Sequence, residues 1–215
     1  MALGYAALVH ILSGDRQAVM EKAEATIQLA MEQGISPWVG RGMMLRGWAL
    51  AEQGQGAEGL AQMQKGFTVW QANGQELRKP FWLALLGEGY ARMGQVEEGL
   101  QVLAEATAMA QTRELRVWEA ELNRLWGELL LQQASRGRGT ASADTCFRQA
   151  LEIALQQQAK SLELRAAMSL SRLWQQQDPK YVASDRLEGI YHWFTEGFDT
   201  ADLKTARVLL AQLTV

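Results

Sequence analysis

Gly47, Gly87 and Gly127 recur at an interval of 40 residues, and each sits in a similar stretch of chain. The stretches are Leu45-Arg46-Gly47-Trp48-Ala49-Leu50-Ala51-Glu52-Gln53-Gly54, Leu85-Leu86-Gly87-Glu88-Gly89-Tyr90-Ala91-Arg92-Met93-Gly94 and Leu125-Trp126-Gly127-Glu128-Leu129-Leu130-Leu131-Gln132-Gln133. A second set, Gly14, Gly54 and Gly94, keeps the same step. A constant period of this size marks an array of stacked supersecondary units. One unit cannot bury its apolar face alone, so the expectation is a single stack and not separate domains.

The units are helical. Ala, Leu, Gln and Glu are strong helix formers and abound here, whereas the alternating Val, Ile and Thr runs of strands are missing. The third unit shows what each position does. Gly87 is small enough for the second helix of the pair to approach the first, and Tyr90 fills the space between them. Gly94 ends the first helix in the left-handed conformation that glycine adopts at low cost. Gly99 sits where the helices cross, and Leu103 and Ala106 complete the inner face of the second helix.

Alignment on this unit predicts one all-α domain over 1–215, with helical hairpins at about 1–34, 37–74, 79–112, 114–157 and 159–195 and a terminal helix over 199–213. The second helix of the fourth hairpin is displaced by four residues, which places an insertion at Ser135-Arg136-Gly137-Arg138-Gly139. The fifth unit then falls at Ser171, Trp174, Asp178, Ala183, Leu187 and Ile190. Pro37 and Pro80 stand at predicted helix starts, where a missing N–H costs little. Asp199 or Thr200 is the expected N-cap of the last helix, and Leu203, Ala206, Leu209, Leu210 and Leu213 form its apolar stripe.

Composition excludes several function classes. Net charge is −3 with the two signs interspersed, so the clustered cations needed for nucleic-acid binding are missing. The one cysteine, Cys146, leaves no internal disulfide and no cysteine zinc site. His10 and His192 lie at opposite ends of the array, too far apart to share a metal or a proton. No cofactor, metal or catalytic residue is expected. No stretch approaches the roughly 20 apolar residues of a membrane span, and the start lacks a signal-peptide pattern, so a cytoplasmic protein is expected.

The set Leu86, Gly87, Tyr90, Gly94, Gly99, Leu100, Leu103 and Ala106 resembles the tetratricopeptide repeat (TPR), which implies a right-handed α-solenoid. The period is longer than the roughly 34 residues of the standard repeat. Trp118-Glu119-Ala120-Glu121-Leu122-Asn123-Arg124-Leu125-Trp126-Gly127-Glu128-Leu129-Leu130, Phe147-Arg148-Gln149-Ala150-Leu151-Glu152-Ile153-Ala154 and Trp193-Phe194-Thr195-Glu196-Gly197-Phe198-Asp199-Thr200-Ala201-Asp202-Leu203-Lys204 extend the likeness. With the segment around Gly47, they resemble the C-terminal repeat region of bacterial class III adenylate/guanylate cyclase proteins that also carry a STAND ATPase domain, a MalT-like TPR array. No phosphate-binding loop or cyclase sequence is present, so the resemblance implies a regulatory or sensor arm and not an enzyme. The abrupt start at Met1 suggests a fragment of a longer protein.

The TPR offsets give a candidate binding groove on the first helices of the hairpins: Arg41, Met44 and Trp48; Phe81, Glu88 and Arg92; Glu121, Arg124 and Glu128, with Gln132; and Arg165 and Arg172, with Met168 and Gln175. Trp48, directly after Gly47, and Phe81 are the expected apolar anchors, and the arginines are the expected anion contacts. A protein or peptide is the expected partner. A small-molecule inducer in the same concavity and a self-associating scaffold stay open, the latter through Leu3, Leu8, Ile11 and Leu12 of the uncapped first hairpin, which would make a homodimer. The groove charges could equally pair with one another across neighbouring helices.

Overall fold

The computed structural model describes residues 2–74, 78–112, 116–134, 140–177 and 184–213. The expected insertion at 135–139, and Asp178 and Ala183 of the fifth unit, lie outside these residues. Every regular element among the described residues is helical. In order they are α1 (Ala2–Ser13), α2 (Arg16–Glu32), α3 (Ser36–Glu52), α4 (Gly56–Gln71), α5 (Lys79–Arg92) and α6 (Val96–Thr112), then a 3-10 turn (Arg116–Trp118). There follow α7 (Glu119–Ala134), α8 (Thr140–Gln156), α9 (Lys160–Gln177), α10 (Ser184–Tyr191) and α11 (Ala201–Leu213). By packing, the chain divides within α6 into two compact units, Met1–Ala106 and Thr107–Val215.

In the first unit, Gly14, Gly54 and Gly94 follow α1, α3 and α5 with φ of 70°, 88° and 67°. A side chain there would strain the backbone, which is why glycine returns at the period of the repeat. Each turn closes in the same way. The N–H of Asp15, Gln55 and Gln95 donates to the carbonyl of His10, Leu50 and Tyr90, at 2.9, 2.9 and 3.0 Å. These bonds satisfy carbonyls that the helix end would leave orphaned. Asp15 then caps α2, its Oδ1 accepting from the Ala18 N–H at 3.0 Å. Pro37 and Pro80 lie in the first turns of α3 and α5.

The contact of α3 with α4 is made by glycines on both sides. A methyl placed on Gly47 would come within 2.5 Å of the Gly59 carbonyl oxygen, and one on Gly59 within 2.5 Å of the Gly47 carbonyl. Gly40 and Gly66 oppose each other in the same way at 2.6 Å. Two backbones this close gain dispersion and Cα–H···O contacts that any side chain would forfeit. On its other side α3 meets α2, where Gly42 leaves room for Ile27. Trp70, Trp82, Met44, Leu45, Met63, Leu83 and Leu103 fill the interior. Each such side chain contributes about 1.5–3 kcal/mol by leaving water.

The second unit packs α7 on α8 and α9, α8 on α9, and α9 on α10 and α11. Here the comb glycine meets a ring: a methyl on Gly127 would collide with Cε1 of Phe147, itself fully buried. The core runs from Ala143, Phe147 and Leu151 through Leu164, Leu170 and Leu173 to Leu187 and Ile190. Leu203, Ala206, Leu209 and Leu213 of α11 close it, while Leu210 lies half-buried at its edge. Thr200 stands directly before α11, but its hydroxyl donates back to the Gly197 carbonyl at 2.7 Å and does not bond the helix N–H groups.

Candidate functional site

The candidate groove residues of the first unit fall into two sets. Met44, Trp48 and Phe81 are 1%, 6% and 6% exposed. The rings expected as anchors are therefore packing residues in this structure and not open to a ligand. The cause is local: α3 contacts α1, α2, α4 and α5, so almost none of its surface is free. Arg41 is also buried, with its guanidinium 4.5 Å from the centre of the Trp38 ring. Glu88 and Arg92 stay at the surface, where Arg92 pairs with Glu88 at 3.0 Å and with Glu52 of α3. Of the groove residues in this unit, Arg92 thus pairs with a neighbouring helix, at the rim.

In the second unit the groove charges form a connected network. Arg124 grips Glu121 bidentately, Nη2 to Oε1 at 2.7 Å and Nε to Oε2 at 2.9 Å, and reaches Glu128 through Nη1 at 3.3 Å. Ser169 of α9 donates to the same Glu128 oxygen at 2.6 Å. Arg165 lies 3.6 Å from Glu121 and donates from Nε to Asp202 of α11 at 2.6 Å. The network thus ties α7, α9 and α11 together. Burial would raise the Glu121 pKa, but the charge and hydrogen bonds of Arg124 and the charge of Arg165 prevail and hold it at about 2. Arg165 is pushed above its ordinary value: burial opposes its charge, and Glu121 with Asp202 overcomes that. Arg172 is exposed and forms no ion pair among the described residues.

Beside this network opens a cleft of about 430 Å³, lined by Glu128, Leu131, Gln132, Thr140, Leu173, Gln176 and Gln177. Glu128 and Gln132 follow from the repeat offsets. Gln176 and Gln177 do not; Gln176 stands four residues after Arg172, a spacing that shares a helix face, and Gln177 had no such signal. The cleft offers amide groups that donate and accept, a carboxylate that accepts, and two leucines. That suits the alternating donors and acceptors of a peptide. A pocket of about 130 Å³ lies in the first unit among Leu3, Thr26, Leu29, Ala30, Gln33, Ile35 and Trp38.

No other chemistry-bearing arrangement stands out among the described residues. No group of three or more His, Cys, Asp or Glu side chains could hold a metal ion there. Cys146 is half-buried, and burial raises its thiol pKa, the opposite of an activated nucleophile. His10 lies 3.7 Å from Asp15 at the first turn. No helix among the described residues is long and apolar enough to cross a membrane.

No family model matches the chain. An uncharacterized protein of Rhizobium meliloti (strain 1021) is 29% identical over 134 residues, which is 62% of this chain and 13% of that protein. The chain therefore spans about an eighth of the length of the curated relative it matches. Among solved structures, nearly identical TPR-like repeats assigned to a kinesin light chain of Podosopora anserina share the fold. A point variant matches with TM-score 0.54 at 18% identity, covering 89% of this chain and 92% of that one. A second crystal structure of those repeats matches with TM-score 0.51 at 17% identity, covering 98% and 94%. The fold is all-α and TPR-like.

Proposed function

We propose that the chain is a non-catalytic module that binds a protein or peptide, and that it serves as the regulatory or sensor arm of a larger bacterial signalling protein. The observation that carries this reading is the open cleft of mixed lining between α7, α8 and α9, bordered by a charge network that holds Glu128 in place from two helices. A preorganised donor and acceptor set lowers the cost of ordering a peptide. The relative's much greater length supports a role as one part of a longer chain.

The openness of the larger cleft favours a peptide over a small inducer. The apolar pocket of about 130 Å³ falls below the ~300–1,000 Å³ usual for small-molecule sites, and the cleft of about 430 Å³, though within that range, is open to solvent and does not enclose a ligand. Self-association loses the residues expected to carry it, since Ile11 is buried and Leu3 and Leu8 are half-buried; the apolar side chains exposed nearby are Val9, Leu29, Met31 and Ile35.

Peptide display tests the proposal. Sequences enriched on the wild-type chain should lose binding to a Gln132→Ala/Gln176→Ala variant whose helicity and melting temperature are unchanged. Enrichment that is indifferent to those substitutions, or no enrichment at all, would remove the cleft from consideration. A thermal-shift screen with metabolites covers the inducer reading, and light scattering against concentration covers self-association.

A further inference from the structure

In the first unit, α1, α3 and the start of α5 enclose a narrow cleft lined by Gly4, Tyr5, Leu8, Trp38, Arg41, Leu45, Arg78 and Trp82. Its polar groups are almost all donors. Arg41 is 9% exposed, and its buried Nε has no hydrogen-bond partner. Its guanidinium makes no ion pair among the described residues and stacks on the Trp38 face at 4.5 Å. Trp82 is 1% exposed, and its indole N–H also lacks an acceptor. Arg78 stands over the Tyr5 ring at 4.9 Å, again with no carboxylate partner among the described residues. No Asp or Glu among the described residues lines the cleft, whereas the neighbouring Lys79 is neutralised by Glu105 at 2.7 Å.

Stacking on an indole recovers only part of what burial of a guanidinium costs in lost hydration. What is missing is an anion. We propose that this cleft binds a carboxylate carried on a short apolar stem, held between Arg41 and Arg78 with the Trp82 N–H as a further donor. A carboxylate is favoured over a phosphate because it is planar, as the guanidinium fork is, and needs less space than a tetrahedral group. The cleft as it stands has no room for a water molecule, so the ligand has to open it. Leu8, Leu45 and Trp82 are the walls for the stem. Entry is by displacing the outer wall, where Tyr5 is 39% exposed and Arg78 half-buried. The proposal concerns the first unit alone and is independent of the peptide cleft in the second.

The carboxylate could belong to a peptide end or to a free organic acid, and titration calorimetry on the full chain separates these. The probes are sodium hexanoate, hexanamide, and a leucine-terminated hexapeptide as free acid and as amide. At least one acid should bind and raise the melting temperature, with its amide about tenfold weaker or worse, the cost of one charge-assisted hydrogen bond. Binding by hexanoate alone identifies a free acid, and binding by the peptide acid alone identifies a chain end. Arg78→Gln and Arg41→Met should each weaken the acid at least about tenfold. Without ligand, Arg41→Met should melt at or above the wild type, because a buried unpaired charge is gone; a purely structural arginine would give the reverse. The proposal is overturned if neither acid binds at millimolar concentration, if the amides bind equally, or if Arg78→Gln, on a half-buried side chain, binds as the wild type does.

Discussion

The two units use the same helical repeat and are held together by different physics. In the first, helices meet backbone to backbone at Gly40, Gly66, Gly47 and Gly59, and the buried polar atoms of Arg41, Trp48, Trp70 and Trp82 find no hydrogen-bond partners. In the second, the equivalent helix contact is filled by Phe147, and the half-buried charges of Glu121, Arg124, Arg165 and Asp202 are all paired. One unit is shaped by absence of side chains and the other by cross-links between them. The stability of the first should answer to volume, and that of the second to protonation.

Substitutions can break that contrast. The largest effect is expected from Gly47→Val, which drives a branched side chain into the Gly59 carbonyl and the Met63 backbone. Neither can move aside, so a loss on the order of 4 kcal/mol or more is expected, enough to unfold the first unit. Hydrogen exchange should show protection lost over α3 and α4 and kept over α7–α9; uniform loss would mean that the units are not separable.

Acid should act on the second unit next. The Glu121 carboxyl titrates at about 2 in the folded protein against an ordinary 4.5. A depressed carboxylate stabilises the fold above its unfolded value and loses that contribution as pH falls toward the folded one. About 3 kcal/mol should therefore disappear between pH 4.5 and 2. Glu121→Gln should cost a similar amount at pH 7 and flatten this part of the curve, read by urea denaturation at each pH. An unchanged acid limb in the variant would assign the loss to other groups.

Gly127→Ala should cost less than any change at Gly47. Its methyl meets the edge of Phe147, a side chain that can shift slightly, and overpacking of this kind costs about 1–3 kcal/mol. Alanine's higher helix propensity offsets up to about 1 kcal/mol of that. If Gly127→Ala were as damaging as Gly47→Val, the distinction between ring and backbone contacts would collapse. The smallest effect is expected for Arg92→Ala. Its partners Glu88 and Glu52 are partly solvated, so about 0.5 kcal/mol or less should be lost, and less still in high salt.

Much of the fold was legible because glycine is conspicuous. The second comb marks turns where only its backbone is comfortable, and the first marks close helix contacts. Gly40 and Gly42 went unread because they do not repeat at the period, although Gly40 sits in the α3–α4 seam and Gly42 in the contact of α3 with α2. At the site, Glu121, Arg124 and Glu128 were legible because three- and four-residue spacing places them on one helix face. The ties from Arg165 to Asp202 and from Ser169 to Glu128 cross 37 and 41 residues, and no local pattern encodes them. Trp48 was misread as an open anchor because the repeat offsets describe a helix with one free face, whereas α3 has neighbours on nearly all sides.

Gly40 and Gly47 lie seven residues apart on α3, as do Gly59 and Gly66 on α4, and they pair in opposite order. Two turns of each helix therefore engage two turns of the other like a pair of matched notches. A slide by a single turn would carry Gly47 out of its notch and set side chains against bare carbonyls. Axial sliding, one of the common ways that packed helices shift, is thereby closed to this pair. Movement between these two helices is left to the turn at Gly54, where the backbone already sits at positive φ.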